Sequence, residues 1–254
     1  MPEDLPGRPA CDRRLRGVPL RVRTWNVFHG NALPPERRGF LEEMVRLVTA
    51  DGPDVVCLQE VPVWALRHLE EWSGMAALGA VAARPRLWSA ELGRLLTEAH
   101  HGLLRSALTG QANAILLSRA LRVGQEWTLA VSRGGERRVC QAVRVADVGL
   151  VGNVHVTGGA VADEQFLRAA AFVDALAEPG EPVILAGDAN IAPGQGDTYG
   201  ELQEWGFSQP LPGSIDQILV RAAPSGHPEA WSAERRRAGG RLLSDHAPVE
   251  LRVG

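Results

Sequence analysis

Lysine is absent from this chain, and all 27 basic residues are arginine. Uniform arginine is first a compositional bias, although a guanidinium suits bidentate contact with phosphate. Cysteine is scarce. Cys11, Cys57 and Cys140 stand far apart and form neither a CxxC pair nor a convincing disulfide set. That excludes a disulfide framework and points to a reducing compartment. No run of about 18 apolar residues exists, so no membrane span is expected. The N-terminus carries charges and prolines but no apolar signal core. A net charge of −3 excludes a strongly basic nucleic-acid binder.

What is present fits a globular α/β protein. The chain has 254 residues, 45% of them hydrophobic and 22% charged, which suits one large domain or two small ones. Residues 1–17, rich in Pro, Asp and Arg, read as a disordered tail. Residues 18–254 show no repeat and no long linker and read as a single domain. The expected protein is cytoplasmic and monomeric.

Hydrophobic spacing predicts strands at 20–27, 54–59, 76–83, 114–117, 121–129, 137–147, 150–156, 183–187, 214–221 and 242–253. Helices are predicted over 36–50, 63–72, 163–177, with Asp163 as N-cap, and 199–205. Residues 87–108, Leu/Ala-rich with His100 and His101, read as a mostly helical excursion. Interleaved strands and helices with consecutive strands in the middle imply an α/β sandwich of two mixed sheets covered by helices.

The chain is organised around Val183-Ile184-Leu185-Ala186-Gly187-Asp188-Ala189-Asn190. An apolar strand here delivers a carboxylate and an amide at its C-terminal end, where α/β sheets place their crevices. A simple Asp-Asn turn explains this stretch alone. Five further strand-like stretches carry polar residues of catalytic type: Thr24-Trp25-Asn26, Leu58-Gln59-Glu60, Asn153-Val154-His155, Ser214-Ile215-Asp216 and Ser244-Asp245-His246-Ala247-Pro248. Each has its own structural explanation as a turn, cap or buried polar residue. Together they would require six coincidences.

The ordered set, with Asn113-Ala114-Ile115-Leu116-Leu117-Ser118-Arg119, resembles the endonuclease/exonuclease/phosphatase superfamily from about Arg21 to Leu251. The resemblance implies a four-layer α/β sandwich of the DNase I-like kind and hydrolysis of phosphate esters with Mg²⁺, or Mn²⁺. A hard cation offsets charge on phosphoryl oxygens, and Mg²⁺ needs few carboxylates. Carried over residue by residue, Glu60, Asn26 and Asp245 would hold the metal. Asp188 would orient or deprotonate the attacking water, with Asn190 beside it. His155 and His246 would donate to phosphoryl oxygens, and Asp216 would orient His246. Substrate contacts are implied at Asn113, Arg119 and His29. The chain departs from the common pattern at Val156-Thr157-Gly158-Gly159 after His155 and at Gln217 after Asp216, and Tyr199 is its only tyrosine.

The expected substrate is a nucleic-acid phosphodiester. Arginine clusters occur at Arg13-Arg14, Arg137-Arg138 and Arg235-Arg236-Arg237, and Trp25, Phe28 and His29 adjoin Asn26. Aromatic rings can stack bases while arginine tracks the backbone. A small-molecule phosphatase, a phospholipid or inositol phosphate phosphodiesterase, and an inactive binding module are the alternatives.

Overall fold

The computed structural model describes residues 19–36, 38–85, 95 and 109–254. The expected tail and the helical excursion of 87–108 lie outside the described residues, apart from Leu95. In chain order the strands are β1 (Leu20–Asn26), β2 (Ala32–Leu33), β3 (Val55–Val61), β4 (Ala76–Ala83), β5 (Gln111–Leu117), β6 (Val123–Ala130), β7 (Val139–Val145), β8 (Gly149–His155), β9 (Val183–Asp188), β10 (Asp216–Arg221), β11 (Glu229–Ala230), β12 (Arg237–Ala238), β13 (Arg241–Leu243) and β14 (Val249–Val253). The helices are α1 (Leu41–Thr49), α2 (Leu69–Ser73), α3 (Ala162–Leu176) and α4 (Thr198–Glu204).

One sheet runs β11-β14-β1-β3-β5-β4, and the other runs β10-β9-β8-β7-β6. Both are mixed: β1 and β3 are parallel, as are β8 and β9, while their other neighbours are antiparallel. A small third sheet joins β12, β13 and β2. The sheets face each other across Val22, Cys57, Ile115, Val151, Ile184, Ile218 and Leu251. Helices α1 and α2 cover the outer face of the first sheet through Met44, Val48 and Leu69. Helices α3 and α4 cover the second through Phe166, Val173 and Leu202. The result is the four-layer sandwich expected from the sequence. Among the described residues, no helix is long and apolar enough to cross a membrane.

The layering follows from strand periodicity. In β3, Val55 and Cys57 face the other sheet while Val56 and Leu58 face the helices, since alternate side chains point to opposite faces. Arg23 on β1 falls on the helix-covered side and is fully buried. Its guanidinium is satisfied by Val48 O at 2.6 Å, by both Asp51 oxygens at 2.6 and 2.7 Å, and by Glu250 at 2.7 Å.

Element limits differ from the sequence reading for local reasons. The helix expected from 36 starts at Leu41, because the Phe40 N–H donates to Gly30 O and the first helical bond runs from Met44 N to Phe40 O. The 63–72 helix opens as a 3₁₀ turn over Val63–His68. Asp163 is not an N-cap. The helix begins at Ala162 without a side-chain cap, and Asp163 accepts a hydrogen bond from Thr198 that ties α3 to α4. The last strand region is two strands, β13 and β14, with Ser244–Pro248 turning between them.

Polar side chains also cross between the sheets. Gln59 Nε2 donates to Thr24 Oγ1 at 2.9 Å and to Asn153 Oδ1 at 2.8 Å, and Asn153 Nδ2 donates to Leu58 O and Ala114 O at 3.0 and 2.9 Å. All are buried, where an unmade hydrogen bond costs more than a made one gains.

Two predictions test these contacts. Asn153→Ala should destabilise the fold by about 1–3 kcal/mol, because it removes the bond from Gln59 and the amide donor to two buried carbonyls; urea unfolding checks this, and an unchanged midpoint would show that the bridge is dispensable. The Arg23 hydrogen bond and charge hold the Asp51 carboxyl down at about 2, against an ordinary value of 3.8. A depressed folded-state value stabilises above the ordinary range, and the gain disappears as pH falls from 3.8 towards 2. Asp51→Asn should therefore cost about 1 kcal/mol at neutral pH, allowing for solvent screening. The gap to wild type should close near pH 2 in a melting series.

Candidate active site

The rows of side chains between the sheets change character along their length. On β9 the row reads Ile184, Ala186, Asp188; on β8, Val151, Asn153, His155; on β10, Val220, Ile218, Asp216; on β1, Val22, Thr24, Asn26. Each row is apolar at one end of the sandwich and polar at the other. Register places His155 beside Asp188 across the parallel pair β8/β9, and Asp216 beside Asp188 across the antiparallel pair β9/β10. Three of the expected catalytic residues therefore stand abreast on three adjacent strands.

Gly187 makes this possible. Its φ is +143°, and a Cβ there would lie 1.8 Å from Val154 O. Only glycine lets β9 and β8 approach this closely one residue before Asp188.

Glu60 reaches the site by a different route. Strict alternation would turn it towards the helices. Between Leu58 and Val61 the pairing of β3 with β5 gains one residue, a β-bulge that re-aims side chains. Glu60 sits at φ +55°, and its Oε1 receives the Asn26 amide at 3.3 Å. Phe28, His29, Asn190 and Ser244 also have positive φ. Such backbone is uncommon for these residue types and clusters at functional sites.

Asp188 is the hub. Its Oδ2 lies 3.0 Å from Asn26 Nδ2, 3.5 Å from His155 Nε2 and 3.8 Å from His246 Nε2, and its Oδ1 accepts the Asn190 N–H at 3.0 Å. Asn190 thus closes the Asp-Asn turn by its backbone, while its side-chain amide donates to Val156 O at 3.0 Å. His246 Nδ1 is 2.8 Å from Asp216 Oδ2. His29 Nε2 is 3.4 Å from Glu60 Oε2. Asp245 stands exposed at the rim, beside Ser244.

The electrostatics follow from burial and partners. Burial raises the Asp188 carboxyl, the Asp216 charge adds to this, and His246 and the Asn26 and Asn190 donors oppose it. Burial likewise raises Glu60 and Asp216. Burial would lower His246, but the hydrogen bond and charge of Asp216, with Asp188 and Asp245, hold it up at about 9. His155 is lowered well below the ordinary range by burial and by the charge of Arg138. The two histidines flanking Asp188 are thus driven in opposite directions.

These residues fit a divalent cation. Glu60, Asp188, Asp216 and Asp245 gather four carboxylates at one mouth, three of them raised by burial, and Asp216 Oδ1 is buried without a hydrogen-bond partner. Carboxylate and amide oxygens are the ligands that Mg²⁺ and Mn²⁺ take. Ligand atoms of Asp188, Asp216 and His246 lie within 4.8 Å of one another, but His246 is committed to Asp216 and held protonated. Glu60 and Asp245 are the chemically freer carboxylates; Asn26 turns its Nδ2 to Glu60 and Asp188 and its Oδ1 to the Phe28 N–H, so it would have to turn its amide to offer an oxygen there.

Other residues go elsewhere. Asn113 spends its amide on Val139 O at 2.9 Å and Asn153 O at 3.4 Å, joining the sheets. Arg119 follows the end of β5 remote from Glu60 and donates to Gly74 O. Trp25 is fully buried, with Nε1 donating to His246 O at 2.9 Å, so it offers no face to a base. Among the described arginine clusters, Arg137 and Arg236 are tied to backbone carbonyls. Arg137 donates to Val81 O and Ala82 O. Buried Arg236 donates to Leu243 O, Ser244 O and His246 O, pinning the Ser-Asp-His turn. Gln217 pins the preceding loop through Leu211 and Ser214. Two contributors were missed in the sequence. Ser244 Oγ donates to Asn26 O at 2.7 Å, joining two motif loops, and Arg138 contacts His155. Neither has a local signal, because each acts through a partner distant in sequence.

No curated protein matches the chain. Among solved structures, it is similar to an endonuclease/exonuclease/phosphatase protein from Beutenbergia cavernae, with 20% identity, TM-score 0.66, and 93% of this chain and 72% of that one covered. A mannosyl-6-phosphatase of Bacteroides thetaiotaomicron gives 17%, 0.63, 92% and 99%. TDP2 of Caenorhabditis elegans gives 17%, 0.60, 94% and 75%. At these identities the likeness concerns the fold alone. The endonuclease/exonuclease/phosphatase family model matches residues 24–246. The chain therefore belongs to the endonuclease/exonuclease/phosphatase family, a family of phosphoesterases.

Proposed function

We propose that this protein hydrolyses phosphate esters by attack of a water molecule that Asp188 orients and deprotonates. The observation that carries the reading is the position of Asp188 Oδ2, 3.0 Å from the Asn26 amide and between two imidazoles. A buried anion with a raised pKa is a stronger base than an exposed one. His246, held charged by Asp216, carries a proton at neutral pH, so it serves as donor to the phosphoryl or leaving oxygen and leaves the base role to Asp188. His155 lines the opposite side. Glu60, Asn26 and Asp245 would hold a divalent cation, whose chemistry is to neutralise charge on the phosphoryl oxygens.

The substrate we propose is a compact phosphate ester. The nucleic-acid expectation loses the supports it drew from Trp25 and Arg236, both buried and bonded within the fold, while Arg137 is exposed but tied to the Val81 and Ala82 carbonyls. A mannosyl-6-phosphatase among the similar structures agrees with a small substrate. A panel with Mg²⁺ tests this: sugar phosphates, nucleotides, inositol phosphates, sphingomyelin, plasmid, single-stranded DNA and RNA. Turnover of small esters without nucleic-acid cleavage is expected. Salt-sensitive cleavage of DNA or RNA in preference to every small ester would restore the nuclease reading.

Asp188→Asn should lower kcat by about a hundredfold or more while KM changes little; steady-state kinetics on a chromogenic phosphodiester check this. Retained turnover with a raised KM would move the base elsewhere. Loss of His246 or of Asp216 should cost similar activity, and the double variant little more, because paired groups act as one unit. Additive losses in a double-mutant cycle would show that they work separately.

A further inference from the structure

Two loops leave the second sheet together beside the catalytic groups. Cys140 pairs with Val154 across β7 and β8, so the loop of residues 131–138 rises level with His155, and the loop of residues 156–161 continues from His155 itself. A cavity of about 330 Å³ opens between these loops and the first turn of α3. Small-ligand sites run from roughly 300 to 1,000 Å³. The cavity adjoins the catalytic groups on two sides. Gly158 faces Asn190, where an added Cβ would lie 3.4 Å from Asn190 Oδ1. Glu136, on the cavity wall, accepts a bond from Arg138 at 2.9 Å, and the same guanidinium reaches His155 Nδ1 at 2.8 Å. Thr157, another wall residue, begins the stretch that departs from the common family pattern.

The wall combines hydrocarbon with groups that bind hydroxyls. Gln165 is 5% exposed, and its Oε1 accepts the Thr157 N–H at 2.8 Å, which leaves its Nε2 donors to face the cavity. Buried donors call for a partner. Glu136 and Glu164 each hold arginine through a single oxygen: Glu136 Oε2 takes Arg138, and Glu164 Oε1 takes Arg133 and Arg168. The second oxygen of each can accept from a hydroxyl. Val131 and Val161 offer apolar contact to C–H groups. Among the described residues that line the cavity none is aromatic, so it has no ring to stack a base. Two carboxylates against the single arginine of the wall, Arg133, disfavour a second phosphate.

We propose that this cavity is the leaving-group subsite and takes a neutral, hydroxyl-rich alcohol of hexose size, which makes the substrate a sugar phosphate. The proposal rests on the phosphoesterase function given above and names the substrate class of that site. The ester oxygen stays among the catalytic groups, and the sugar ring passes the Arg138–Glu136 pair into the cavity. In the hydrolysis the water oxygen bonds phosphorus and the bond from phosphorus to the sugar oxygen breaks. Asp188 takes the water proton, and the sugar oxygen receives the proton that His246 carries, so the products are free sugar and inorganic phosphate. Binding energy from the sugar, remote from the reacting bond, is what such a subsite adds.

The test reads selectivity and binding on the full chain. With Mg²⁺, the wild type should prefer mannose 6-phosphate and glucose 6-phosphate to methyl phosphate, whose alcohol cannot fill the cavity. Gly134→Trp adds a ring to the wall at a glycine whose Cβ would meet nothing within 4 Å. It should raise KM for the sugar phosphates by about tenfold or more with a smaller change in kcat, because it removes binding common to ground and transition states. Separately, ¹H–¹⁵N spectra of labelled protein follow a titration with free mannose or glucose. The Gln165 side-chain amide and the Thr157 N–H should shift in the wild type and stay in place in Gly134→Trp. Should Gly134→Trp fail to fold, Val161→Trp on the other loop, at a 45% exposed position, makes the same test. An unchanged KM for sugar phosphates in a folded variant overturns the proposal, as does a wild type that prefers methyl phosphate. Sugar-induced shifts in a chain that turns over no phosphate ester would overturn the proposed function and leave the sugar site standing. Turnover of phosphate esters with neither the preference nor the shifts would overturn the subsite and leave the function standing.

Discussion

A carboxylate buried between two apolar sheets is the constraint around which this structure is arranged. Asp188 is 1% exposed, and an isolated ion there would be far less stable than in water. Three neighbours offset that cost against burial and the charge of Asp216: an amide from Asn26, a backbone N–H from Asn190, and an imidazolium at His246. The close approach of β8 to β9, which sets His155 beside Asp188, depends on Gly187. The polar layer of Gln59, Thr24 and Asn153 lies between this charged end and the hydrocarbon core, so polarity falls off in steps along the sandwich.

The site contains groups of one type driven to opposite states. Two histidines share one carboxylate neighbour and are driven apart: Asp216 raises His246, whereas burial, with the charge of Arg138, lowers His155. Environments that push like groups apart are how one protein holds acid and base functions at a single pH. With several carboxylates raised by burial, the mouth is short of positive charge, which is the condition a divalent cation relieves.

A chain with arginine as its only basic residue uses much of it internally. Arg23, Arg138, Arg144 and Arg236 reach backbone carbonyls, carboxylates or an imidazole within the fold. The planar fork with many donors suits such anchoring better than a point charge would. Within the described clusters, Arg138 and Arg236 are buried and add nothing to the surface charge.

The layers were legible in the sequence because strand alternation and amphipathic spacing are local properties, and the apolar strand 183–187 leading into Gly-Asp-x-Asn could be read directly. So could the residue types a phosphoesterase needs, since six motifs carried them. Element starts were less legible at Leu41 and Ala162, where distant bonds from Phe40 to Gly30 and from Thr198 to Asp163 set the limits. The sequence by itself determined the fold class and the residue types delivered at strand ends, because period and composition are written along the chain. Tertiary structure alone decided that a bulge turns Glu60 inward, that Trp25 and Arg236 are buried and bond the His246 carbonyl, and that Arg138 contacts His155. Those outcomes depend on register and on contacts between residues far apart in sequence, which no local pattern encodes.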